Sequence, residues 1–75
     1  MIDSNDYYVV LFDSVNHAMK SEKILKSAGI PHKIIPVPRH LGSNCGICIR
    51  FLHQHRMEVE NELVGKIEFY DISHL

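Results

Sequence analysis

Two cysteines, Cys45 and Cys48, form a C-G-I-C element and are the only cysteines in the chain. The thiolate is the nucleophilic form of cysteine. Its pKa falls beside Arg, His⁺ or a helix N-terminus, because each stabilises negative charge. Arg39 stands six residues before Cys45, close enough for a loop to fold it back. Gly46 leaves the backbone beside the sulfur uncrowded and permits a positive φ. A persulfide or selenide on Cys45 would need the same anion-stabilising surroundings. The competing reading is that either cysteine is a small buried hydrophobe.

The two cysteines should behave differently. An offset of three along a strand puts them on opposite faces. Cys45 has the parity of Ile47 and Ile49 but sits at the strand's end, where it reaches the rim. Cys48 shares a face with Arg50, the face without helices. A disulfide between them in regular strand is strained, because their Cβ vectors diverge. A bend at Gly46 would relax that objection. Cys48 reads as the second thiol of a redox pair or as a small buried hydrophobe. His17 reads as an acid/base partner to Cys45 or as a surface histidine. Ser14, Pro38, Arg39, His40 and Gly46 offer a cradle for an anion at the same rim. Cys45, Cys48, His53 and His55 also spell C-x₂-C-x₄-H-x-H, with zinc-ligand types. The cysteines diverge and the histidines fall at the strand's far end, so no metal is expected.

These residues must be positioned by regular elements. Tyr7–Phe12 is a β-branched and aromatic run, hence a buried strand. Asp13-Ser14 opens a helix with Ser14 as N-cap. Its stripe is Val15, Ala18, Met19, Glu22, Leu25 and Ala28. Gly29 and Pro31 stop it. His32–Val37 is a strand, and Pro36 places it at a sheet edge or at the strand's end. Residues 38–44 are a loop. Ile47–Phe51 alternates, with Ile47, Ile49 and Phe51 on one face. His55–Val64 is a second helix with Met57, Val59, Leu63 and Val64 as its apolar residues, and Gly65 ends it. Ile67–Ile72 is the last strand. The order is that of an α+β, ferredoxin-like βαββαβ domain, a four-stranded antiparallel sheet with two helices on one face. In that topology the end of the first strand, the start of the first helix, the 37–44 loop and Cys45 share one edge. Tyr8, Tyr70, Cys48 and Arg50 are expected together on the open face, as a dimer or partner surface.

Seventy-five residues make one small domain, 1–75, with 1–6 as a loose lead-in. Eight Lys and Arg balance nine Asp and Glu for a net charge of −1, so there is no strong electrostatic case for nucleic acid or an acidic membrane. No run of 18 apolar residues occurs, and MIDSND is not a signal peptide. A cytoplasmic location is expected.

The stretch Leu11–Phe51 resembles the small bacterial selenium/sulfur carrier-like proteins. The carrying residues are F-D-S-V-N-H-A at Phe12–Ala18, E-K-I-L-K-S-A-G-I-P at Glu22–Pro31, P-V-P-R at Pro36–Arg39 and C-G-I at Cys45–Ile47. The resemblance extends over about residues 7 to 70. It implies that Cys45 accepts sulfur or selenium as a persulfide-like adduct and hands it to a partner, with Arg39 stabilising the anion, His17 assisting, and Cys48 either resolving the adduct or standing in for a small residue. The expected partners are donor and acceptor proteins and a second copy of the chain; no cofactor is implied. On this reading the protein is a carrier rather than a turnover enzyme. Two rivals remain: an anion-binding module using the PVPR loop with no covalent step, and a thiol-disulfide protein using both cysteines.

Overall fold

The computed structural model describes residues 6–41, 46–67 and 70–75. The elements run β1 (Tyr7–Phe12), α1 (Val15–Ser27), β2 (Lys33–Pro36), β3 (Ile47–Leu52), a 3₁₀ turn (His53–His55), α2 (Arg56–Leu63) and β4 (Tyr70–His74). The strands form one antiparallel sheet in the order β2-β3-β1-β4. This is the ferredoxin-like α+β arrangement the sequence predicts. Both helices cover one face. There Ala18 and Leu25 of α1 and Val59 and Leu63 of α2 meet Val10, Phe12, Ile49 and Phe51 of the sheet. Pro36 ends β2, which pairs with β3 alone, so its missing N–H disturbs no inner ladder.

α1 owes its limits to its ends. Ser14 has extended backbone, and its Oγ accepts from the His17 N–H at 3.4 Å. At the other end Gly29 takes φ +74°. The Ile30 N–H then reaches the Leu25 carbonyl at 3.0 Å, and the Gly29 N–H the Lys26 carbonyl at 3.1 Å. This is a Schellman stop, with Ile30 and Leu25 both in the core.

The buried face of α1 is rotated from the expected stripe. Ala18, Ser21 and Leu25 are fully buried, while Val15 and Met19 are 50% and 46% exposed. A small residue lets the helix approach the sheet, so Ser21 rather than Met19 faces inward. Glu22 is half-buried because it meets His32: Oε2 lies 2.8 Å from Nε2, and His32 Nδ1 lies 2.7 Å from the Ile30 carbonyl. Each ring nitrogen thus faces an oxygen acceptor, one from the backbone and one from α1. The pair ties α1 to the chain leading into β2.

Ser21 Oγ is buried without a hydrogen-bond partner among the described residues. Such a hydroxyl is a liability that alanine removes, and alanine is also the better helix former. Ser21→Ala should therefore stabilise the fold by about 1 kcal/mol, raising Tm by roughly 4–8 °C in a thermal melt. A lower Tm would mean that the hydroxyl has a partner in solution.

α2 also departs from expectation. Val59 and Leu63 are buried, but Met57 and Val64 are 76% and 63% exposed. Ile67 is a core residue rather than a strand residue. Its N–H donates to the Leu63 carbonyl at 3.0 Å, inside the turn that closes the helix. The last strand begins at Tyr70, and residues 68 and 69 lie outside the described residues. Asp6 is tied down: its carbonyl accepts from the His53 N–H at 3.0 Å, and its carboxylate pairs with the His74 ring. Residues 1–5 lie outside the described residues. Among the described residues no helix is long and apolar enough to cross a membrane.

Candidate functional site

The candidate site is the edge where β3 begins. The Val37 N–H donates to the Gly46 carbonyl at 3.2 Å, carrying the β2–β3 ladder one step beyond the Pro36–Ile47 pair. That bond closes the loop between the two strands. The loop opens with a turn, in which the Leu41 N–H donates to the Pro38 carbonyl at 3.1 Å. Arg39 and His40 are the two corner residues of this turn and are exposed, while Pro38 is half-buried. Both corner side chains are thus displayed to solvent.

Gly46 is exposed and has φ +85°. A Cβ there would meet nothing within 4 Å, so backbone conformation, not space, calls for glycine. Cys45, its chain neighbour, lies outside the described residues, as do 42–44.

On the other side of β3 stands the end of β1, with Leu11 opposite Cys48. The chain then turns through Asp13 and Ser14 into α1, whose positive dipole end lies at this edge. His17 sits in the first turn, half-buried, and its Nδ1 is buried with no hydrogen-bond partner among the described residues. The start of β3 is therefore flanked by the Arg39–His40 turn on the β2 side and by the Ser14–His17 turn on the β1 side.

Cys48 is fully buried in mid-β3, between Leu11 of β1 and Ile35 of β2. It lies on the face away from the helices, together with Arg50, as its parity requires. Tyr8 does not join them. It pairs with Phe51 and packs against the core on the helix side, 6.2 Å between ring centroids. Tyr7 takes the open-face place instead, and the Arg50 guanidinium lies 4.3 Å over its ring. The side chain of Tyr70 lies outside the described residues. Sequence reasoning missed Tyr7 because Y-Y-V-V-L-F is apolar at both parities, so the run alone gives no signal of which tyrosine turns inward. His53 lies 5.1 Å from the Tyr8 ring, and His55 Nδ1 meets Glu58 at 3.0 Å. Among the described residues no group of three metal-ligating side chains comes together.

Residues 7–72 match the family described as "Putative Se/S carrier protein-like". The chain belongs to this family. The match spans all four strands nearly to the end of β4 and includes the P-V-P-R turn, Cys45 and Gly46. No curated protein and no solved structure matches the chain.

Proposed function

We propose that the protein carries sulfur or selenium on Cys45 as a persulfide-like adduct. Family membership over residues 7–72 carries this reading. The Cys45 thiolate attacks the outer chalcogen of a donor persulfide. The donor's bond to that atom breaks, its electron pair leaves with the donor thiolate, and Cys45 holds the chalcogen as an anion. An acceptor thiolate then attacks the same atom and releases Cys45 as thiolate. The chalcogen passes between thiolates with no net oxidation or reduction.

Three observations support the assignment of roles. Arg39 stands on an exposed turn beside β3, where a cation can lower the thiol's pKa and stabilise the adduct. The dipole of α1 favours negative charge at the same edge. His17 Nδ1 is buried with no hydrogen-bond partner among the described residues and lies in the first turn at this edge. Exchange of this kind needs thiols kept reduced, which fits the cytoplasm. Its partners are a donor protein that already holds the sulfur or selenium on a cysteine, as a persulfide or its selenium analogue, and a thiol acceptor protein. The burial of Cys48 weighs against a second exchanging thiol.

The test is the pH dependence of alkylation at each cysteine, resolved by peptide mass spectrometry on the folded protein. Cys45 should react with a midpoint below the free-thiol value of about 8.5, and Cys48 should lag until the chain unfolds. Arg39→Gln should move the Cys45 midpoint back toward the free value. A Cys45 that stays inert in the folded state would remove the mechanism and leave non-covalent anion binding by the P-V-P-R turn as the better reading.

A further inference from the structure

A second cleft lies at the opposite end of β3, on the face without helices. Its volume is about 280 Å³, at the small end for ligand sites, and Tyr7, Pro31, His32, Lys33, Arg50 and Leu52 line it. Lys33 of β2 and Arg50 of β3 are direct cross-strand partners on this face. Like charges placed opposite each other repel. Among the described residues neither cation has an ion-pair partner, and no carboxylate lines the cleft. Asp71 shares the face but sits on β4, with β1 between it and β3. It is level with Cys48, two strands across and two residues along from Arg50, so roughly 12 Å away at about 4.8 Å per strand and 3.4 Å per residue. The one carboxylate near His32, Glu22, is engaged by that ring, and the ring's other nitrogen is engaged by Ile30. His32 is thus a wall of the cleft rather than a spare donor.

Arg50 is held rather than loose. Its guanidinium stacks over the Tyr7 ring, a contact that fixes the group without using up its N–H donors. The cleft therefore combines a fixed guanidinium, an exposed ammonium beside it and an apolar wall of Tyr7, Pro31 and Leu52. We propose that it binds a small organic anion, a carboxylate or phosphate on an apolar body. The anionic head bridges Arg50 and Lys33 and relieves their repulsion, while the body lies against Tyr7 and Leu52. This site is separate from the edge that leads to Cys45 and does not depend on the chalcogen-carrier reading.

The test titrates the full ¹⁵N-labelled chain with benzoate, phenyl phosphate and the neutral analogue benzamide, against sodium chloride at matched ionic strength. The proposal expects saturable amide shifts centred on Tyr7, Lys33, Arg50 and Leu52 with one or both anions. The head group that binds more tightly identifies the ligand class. Lys33→Gln changes one exposed side chain and should weaken binding about tenfold, as should Arg50→Gln. Benzamide should leave those amides nearly unmoved. Equal shifts with benzamide, shifts that never saturate, or binding unchanged in Lys33→Gln and Arg50→Gln would each overturn the proposal.

Discussion

Cys45→Ser will take up no persulfide sulfur, whereas Cys48→Ala will load as the native chain does. The contrast follows from the burial of Cys48 and the role proposed for Cys45. Cys48 is 0% exposed between Leu11 and Ile35 in the middle of β3. Attack on a donor requires the sulfur to reach the donor's outer atom, and a sulfur inside the sheet does not. Cys45 is the chain neighbour of Gly46, which is exposed just ahead of the same strand. The measurement is intact-protein mass after incubation with a small-molecule persulfide, followed by transfer to an acceptor thiol. Loading should fall to background in Cys45→Ser. In Cys48→Ala it should be unchanged, while stability drops by about 1 kcal/mol for the sulfur removed from a packed site. If Cys48→Ala fails to load while still folded, both thiols take part and the thiol-disulfide reading replaces the carrier.

The largest loss of stability is expected at Phe51. It is 1% exposed, pairs with Tyr8, stacks against its ring and belongs to the cluster under both helices. Phe51→Ala removes the ring and leaves a cavity, at a cost of about 3–5 kcal/mol. A domain of this size has only about 4–11 kcal/mol in hand. Urea denaturation should show the midpoint collapsing toward zero, with part of the chain unfolded in buffer. Phe51→Leu keeps most of the volume and should cost less than about 2 kcal/mol. A loss for Phe51→Ala no greater than for Phe51→Leu would show that the core closes over the gap.

The order of elements was legible because its punctuation is chemical. Ser14 offers an oxygen to a helix amide, Gly29 adopts the left-handed turn, and Pro36 cannot donate inside a sheet. Orientation was harder to read. α1 carries Val15 and Met19 on one side and the small Ser21 on another, and close approach to the sheet selected the small residue. In β1 both parities are apolar, so only the register with β3, which sets Tyr8 against Phe51, shows that Tyr7 is the open-face ring. Ile67 was read as strand from its hydrophobicity, but its backbone bond belongs to the end of α2. At the candidate site, composition marked residues 38–44 as loop. It did not show that Arg39 and His40 take the corners of a turn, because that depends on the bond from Leu41 to Pro38. The His17 Nδ1, buried without a partner among the described residues, has no signature in a lone sequence at all.

The strand order has a consequence for synthesis. β1 leaves the ribosome before either of its neighbours in the sheet, β3 and β4. One of its edges waits for residues 47–52 and the other for residues 70–74. Until then an apolar six-residue strand has open hydrogen-bonding edges, the form in which nascent chains pair with one another. A chain whose residues 70–74 have yet to emerge holds a half-built sheet, with helices able to cover one face and nothing to close the far side of β1. Emergence of β4 is therefore the step that closes the second edge of β1 and ends the aggregation-prone interval.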